Sequence, residues 1–270
     1  MSSVPNDLRV NDLSDLRQTA ATAARVAGQV LLDWRGRFGV REKNRHDFVT
    51  DADIAAQQAI ADTIAARFVD HAFLGEESPR HDPPRDDQFC WIVDPLDGTT
   101  NYVHGFPAWC VSIAVCRGQL PLAAAIFDPL RDELFTAAAG LGAALNGATI
   151  AASDCQVVAE SLVATSLPAT VTPTSPDLLD LITVATLCRG VRRLGSAALN
   201  LAYVASGRID AFCAAQTHPW DVAAGVLLVR EAGGIVTGRQ GQDFRLYDPH
   251  LCAASTQSLH AELIALLAAG

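Results

Sequence analysis

Phe89-Cys90-Trp91-Ile92-Val93-Asp94-Pro95-Leu96-Asp97-Gly98-Thr99-Thr100-Asn101 is the stretch on which the reading of this chain turns. Phe89 to Val93 form an apolar run that reads as a buried strand. The run stops in two carboxylates, Asp94 and Asp97, with a proline between them. Gly98-Thr99-Thr100-Asn101 then suits the opening of a helix. Carboxylates facing a helix start add little to stability. They make sense if divalent cations sit between them and a phosphate. Carboxylate oxygens ligate hard cations, and the first N–H groups of a helix, with their positive dipole end, face the anion. A bare D-x-x-D says little; D-P-L-D-G-T-T-N at the end of an apolar strand is specific.

The chain has 270 residues, half of them hydrophobic, enough to bury a sizeable core. Its net charge of −10 argues against a general nucleic-acid-binding surface. Cations that reverse the local sign still let an acidic protein hold a phosphate. Seven cysteines are scattered singly, without C-x-x-C spacing, and read as buried free thiols of a reducing, cytoplasmic compartment. Residues 1–9 lack the apolar core of a signal peptide. No apolar run reaches the roughly 18 residues of a membrane span.

Leu13, Leu16, Ala20, Ala23, Ala27, Val30, Leu31 and Trp34 fall at helical spacing and predict an amphipathic helix over 11–35. Thr50 reads as the cap of a second helix running to about Phe68, with Asp53 in the reciprocal place. Trp109 to Cys116, Leu120 to Phe127 and Glu133 to Ala137 read as successive antiparallel strands. Further on, Leu178 to Leu187 and Ser196 to Ser206 predict helices, and Ile209 to Ala214 a strand. Asp221 opens another helix, Ile235 and Val236 a strand, and Ser258 to Ala269 a closing helix. The class is α+β, one unit of two halves, 1–150 and 151–270.

Glu76, Asp94, Asp97 and Asp221 come from separate stretches, each after a strand-like segment or at a helix start. Two like charges about 4 Å apart repel by about 4 kcal/mol at an effective dielectric of 20, so such acids gather only around a cation. An all-oxygen donor set suits Mg²⁺ or Mn²⁺ rather than Zn²⁺. No serine or cysteine sits in an activating motif, which leaves a water as the nucleophile. Gly98 and Thr99 offer N–H groups, and Thr99 a hydroxyl, to a phosphate. Trp91, Trp109 and Trp220 read as core, His218 as packed beside Trp220, and His104 as a rim residue.

Together with three further segments, the opening stretch resembles the inositol monophosphatase family, the lithium-sensitive, magnesium-dependent phosphomonoesterases. The segments are Asp47-Phe48-Val49-Thr50-Asp51-Ala52-Asp53, Gly75-Glu76-Glu77-Ser78, and Pro219-Trp220-Asp221-Val222-Ala223-Ala224-Gly225 leading to Glu231-Ala232-Gly233-Gly234. The match covers roughly residues 40 to 240 and is similar above all to the bacterial inositol-1-monophosphatase type. The resemblance implies an αβαβα sandwich of the inositol monophosphatase and fructose-1,6-bisphosphatase type. It implies two or three Mg²⁺ ions, or Mn²⁺ in their place. Glu76, Asp94 and the Leu96 carbonyl would hold one ion, and Asp94, Asp97 and Asp221 a second. Asp53 and Thr99, with Glu76, would orient and deprotonate the water. Lys43, Gly98, Thr99, Gly195, Ser196 and Ala197 would contact the substrate. It further implies a small phosphorylated substrate and a homodimer, without a membrane partner.

One departure stands out. Family members acting on inositol phosphates commonly carry a glutamate seven residues before the Asp221 position, against the sugar ring; here it is Ala214, followed by Ala215 and Gln216. The same machinery elsewhere in the family serves histidinol phosphate, fructose 1,6-bisphosphate or 3′-phosphoadenosine 5′-phosphate. A role as a regulatory, macromolecule-binding protein is the reading from another class.

Overall fold

Helix α1 (Val10–Trp34) buries the stripe formed by Leu13, Leu16, Ala20, Ala23, Ala27 and Leu31. The computed structural model describes residues 8–44, 47–79, 81–167, 170–248 and 250–269, with the side chains of 42–44, 47 and 269 outside that description. A hairpin of β1 (Val40–Asn44) and β2 (Asp47–Thr50) leads into α2 (Asp51–Ala65). The Thr50 hydroxyl accepts from the amides of Ala52 and Asp53, and the Asp53 carboxylate accepts from the Thr50 amide, which fixes the helix start. Helix α2 stops at Ala65, short of Phe68, because Phe68 turns back to stack on His71 at 4.7 Å and lean on Trp91 at 5.6 Å.

The first sheet takes its seven strands in chain order: β3 (Ala72–Gly75), β4 (Phe89–Asp97), β5 (Cys110–Arg117), β6 (Leu120–Asp128), β7 (Glu133–Ala138), β8 (Ala143–Leu145) and β9 (Ala148–Thr149). Strands β3 and β4 run parallel and the others pair antiparallel. The period of two sends Trp91, Val93, Val111, Ile113 and Val115 toward α1 and α2. Cys90, Ile92, Cys110, Ala114 and Cys116 face the other way. Both faces are covered, which is why β5 and β6 read as continuous apolar runs. A short helix, α3 (Thr99–Val103), hangs from the end of β4.

The second sheet is ordered β11-β10-β12-β14-β13, built from β10 (Leu162–Thr165), β11 (Gly190–Arg192), β12 (Ala211–Ala214), β13 (Ile235–Thr237) and β14 (Leu251–Ala254). Helices α5 (Ala197–Ala205) and α6 (Pro219–Glu231) lie between the sheets. Their Leu199, Leu201, Val226 and Leu228 share one core with Ile92 and Ile126 of the first sheet and Phe212 and Leu251 of the second. Helices α4 (Pro176–Leu187) and α7 (Gln257–Ala269) cover the outer face. There Val184, Leu259, Leu263 and Leu267 pack on Ala211, Cys213 and Cys252. The layers therefore run helix, sheet, helix, sheet, helix, the αβαβα sandwich that the family resemblance implied. The seven cysteines are free thiols; Cys155 and Cys188 are half-buried and the other five buried. No described helix is long and apolar enough to cross a membrane.

Candidate active site

Strand β4 breaks its ladder at the decisive residues. Asp94 pairs with Ser112 and Asp97 with Cys110, so Pro95 and Leu96 bulge out between them. Pro95 has no N–H to give, and the bulge leaves its missing donor without consequence. The Leu96 amide donates to Asp94 Oδ1 at 2.9 Å, and the Leu96 carbonyl accepts from the Thr99 hydroxyl at 3.0 Å. Gly98 follows at φ +98°, a left-handed conformation that lets the chain enter α3 at once. A Cβ there would stand 2.9 Å from the Ala108 carbonyl oxygen and 3.3 Å from that of Gly195. Helix α3 has only five residues, so the dipole expected to help hold an anion is small. Free N–H groups and cations must do most of that work.

Two other elements bring their acids to this turn, and α5 brings donors to it. The Glu76 amide donates to the Val93 carbonyl at 3.0 Å, which prolongs the β3–β4 pairing and sets Glu76 beside Asp94. Asp221 lies in the first turn of α6, its carboxylate accepting from the His218 amide at 2.7 Å. Ser112, buried opposite Asp94, donates to the Trp220 carbonyl at 3.2 Å and so moors that turn to the sheet. Trp220 is gripped between His218, stacked at 4.8 Å, and His81 at 4.7 Å. Asp97 accepts from the Ser196 hydroxyl at 2.7 Å and the Ala198 amide at 2.6 Å, both at the start of α5.

Gathering these acids costs energy that shows in their protonation. Burial, then the charges of Glu76, Asp97 and Asp221, push Asp94 well above the usual carboxylate range. Burial and then Asp97 do the same to Asp221. Asp97 is pushed up to about 6 by burial, against the pull of its bonds from Ser196 and the α5 amides. Asp53 is pushed up to about 7, chiefly by burial, although Thr50 donates to it twice. The Thr99 hydroxyl also reaches Asp53 Oδ1, at 3.3 Å.

Among the described residues, no three His, Cys, Asp or Glu are gathered tightly enough to enclose an ion by themselves. The donor set is nonetheless all oxygen, with Asp94 and Asp97 buried and Glu76 and Asp221 half-buried, which fits a hard divalent cation and neither zinc nor copper.

A cleft of about 480 Å³ opens beside Asp97 and Asp221. Thr100, Asn101 and His104 line one side, and Ser166, Leu167, Arg193, Gln216 and Thr217 the other. Gly195 and Ala197 line it too, whereas Ser196 is buried, its hydroxyl committed to Asp97 and to capping α5. Gly195, at φ +79°, lets the chain pass Asn101, whose amide nitrogen donates to the Ala108 and Leu194 carbonyls at 2.6 and 2.7 Å. Ala214 ends β12 as a buried core residue and does not line the cleft. The Lys43 side chain lies outside the described residues. Gln216 follows the departure at Ala214 and reaches the cleft, whereas Arg193 is a polar cleft residue that the motifs did not single out. Both sit in segments between elements, where no periodicity marks them.

The family model described as "Inositol monophosphatase family" matches residues 12–269. A protein named Nus factor SuhB from Salmonella typhimurium is 40% identical over 249 residues, 90% of this chain and 92% of that one. An inositol-1-monophosphatase from Synechocystis is 38% identical over 265 residues, 96% of this chain and 91% of that one. Among solved structures, the extragenic suppressor protein suhB of Bartonella henselae superposes with a TM-score of 0.88 at 36% identity, covering 94% of this chain and 98% of that one.

Proposed function

The chain belongs to the inositol monophosphatase family, and from that premise we propose that it is a Mg²⁺-dependent phosphomonoesterase acting on inositol-1-phosphate or a related small polyol phosphate. The observation that carries this reading is the convergence of Glu76 after β3, Asp94 and Asp97 on β4, and Asp221 on α6, beside one cleft. In this reading Glu76, Asp94 and the Leu96 carbonyl hold one Mg²⁺, and Asp94, Asp97 and Asp221 another. Bound there, Mg²⁺ supplies Lewis-acid stabilisation of phosphoryl oxygens and eases deprotonation of water.

The chain's own residues do the rest. Gly98 and Thr99 offer N–H groups to the phosphate. The Thr99 oxygen accepts from the attacking water, its own proton passes toward Asp53, and Glu76 orients the water from the other side. Asp53, held near neutrality by burial, is matched to that task. The alcohol leaves into the cleft between His104 and Gln216. Phosphate release from a panel of esters tests the reading. The expected result is turnover that needs Mg²⁺, vanishes in excess EDTA and is inhibited by millimolar Li⁺; turnover surviving exhaustive chelation overturns it.

Stability gives a test independent of turnover. Asp97 and Asp53 hold their protons up to about 6 and about 7 in the fold, but ionise near 4 when unfolded. Between those values the fold binds more protons than the unfolded chain, so cation-free stability falls as pH rises from about 4 to about 7. Bound Mg²⁺ compensates the ionised acids. Millimolar Mg²⁺ should raise Tm by several degrees at about pH 8 and by much less at about pH 5. Equal shifts at both pH values would contradict the ligand set.

Arg193 on the cleft wall favours a second reading on the same machinery, in which the leaving group itself carries a phosphate, as in fructose 1,6-bisphosphate or 3′-phosphoadenosine 5′-phosphate. The relatives named Nus factor support a third, a macromolecule-binding role alongside the chemistry. A cytoplasmic homodimer completes the proposal; light scattering at micromolar concentration should return twice the 28.6 kDa chain mass.

A further inference from the structure

We propose that Gln216 is the residue that selects the alcohol half of the substrate, and that it selects a neutral polyol with adjacent hydroxyls. The inference rests on the phosphatase reading above and deepens it. Gln216 lines the cleft with Thr217 and Asp221, which in the phosphatase reading puts its amide within reach of the departing alcohol. It is exposed between two buried residues, Ala215 and Thr217. Its φ is +66°, one of three non-glycine residues at positive φ among those described. A glutamine gains nothing from that conformation, and such backbone persists where its surroundings over-determine it.

The surroundings do so here. From behind, the buried Asp177 at the start of α4 accepts from the Ala215 amide at 3.1 Å. In front, Pro219 at the first position of α6 fixes the exit of the turn. The turn is held so that Gln216 is presented to the cleft beside Thr217, between neighbours that are buried.

The chemistry at that point is selective. Ala214, at the position where family members commonly carry a ring-contacting acid, is a core residue and leaves no carboxylate there. Asn101 has spent its amide nitrogen on two backbone carbonyls. Among the described residues, none hydrogen-bonds the Gln216 amide. A carboxamide donates and accepts in one plane, the pattern that two neighbouring hydroxyls present; an ionised carboxylate in its place accepts only.

The test compares wild type with Gln216→Gly and Gln216→Asn. Glycine suits the left-handed backbone and removes the amide; asparagine keeps an amide one methylene shorter. Turnover is read on inositol-1-phosphate and on phenyl phosphate, which carries no hydroxyl. Binding is read by calorimetry with inositol-1-phosphate and inorganic phosphate. For Gln216→Gly, the expected result is a roughly tenfold fall in the kcat/KM ratio of inositol-1-phosphate to phenyl phosphate. The matching ratio of binding constants should fall similarly, with partial recovery in Gln216→Asn. Unchanged ratios in a variant with wild-type circular dichroism overturn the inference, as does an equal loss on both probes, which would mark a structural role. If wild type releases no phosphate from any ester, the phosphatase reading fails, while the binding ratio still decides the role of Gln216.

Discussion

Asp94→Asn is expected to abolish hydrolysis while leaving the cation-free protein as stable as wild type or more so. Asp94 sits at the centre of the acid group and feels Glu76, Asp97 and Asp221 at once. An amide is the neutral isostere of the protonated carboxyl that burial and these neighbours favour there, and it adds no charge to repel the other three. The bond from the Leu96 amide survives, because an asparagine oxygen accepts it as well. Cation binding has no such substitute: a neutral oxygen is a poor bridge between two Mg²⁺ ions. Losing the metal's stabilisation of the transition state costs several kcal/mol, which is at least a hundredfold, or ~100, in turnover. Phosphate release and a thermal melt on one preparation check both halves. More than about a tenth of wild-type turnover in that variant sinks the bridging role.

Gly98→Ala should damage fold and site together. Alanine at φ +98° is strained wherever it stands, and here its methyl would meet the Ala108 carbonyl oxygen at 2.9 Å and the Trp109 Cβ at 3.2 Å. Backbone strain and overpacking each cost roughly 1–3 kcal/mol. The sum corresponds to a Tm lower by about 10 °C. The same shift misplaces the Gly98 and Thr99 N–H groups, so turnover below the transition should fall by an order of magnitude or more. A variant that melts with wild type would show that the turn is looser than its contacts imply.

What could be read from the sequence was local. Strands β5 to β7 announce themselves by apolar runs broken at turns, and α1 by its stripe. The caps at Thr50 and Ser196 need only their own neighbours. The hairpin of β1 and β2 did not stand out because its strands are only four or five residues long, and β10 and β14 because each is as short and is stabilised by partners distant in the chain. The parallel pairing of β3 with β4 is likewise non-local. At the site, the acids were legible as a motif, but what holds them was not. Ser112 is one residue in an apolar strand, and only the fold shows that its hydroxyl moors Trp220. Ser196 was anticipated at the substrate; its hydroxyl turned out to serve Asp97, since a buried carboxylate competes for the nearest donor. The departure at Ala214 pointed to this segment, but Gln216 carries no glycine or asparagine signature for its left-handed backbone, so the turn that presents it was not legible.

The two bonds that finish the acid cluster join residues far apart in the chain: Ser196 to Asp97 across 99 positions, and Ser112 to Trp220 across 108. A ribosome therefore delivers Asp94 and Asp97 long before the groups that shelter them. Throughout that interval the emerging polypeptide carries a charged, unfinished strand end that water keeps solvated. The cluster closes only when α5 and α6 dock, late in synthesis, so an N-terminal fragment is chemically silent however well its own sheet has formed. In refolding, regained turnover should be among the last signals to appear, after the spectroscopic signature of the first sheet.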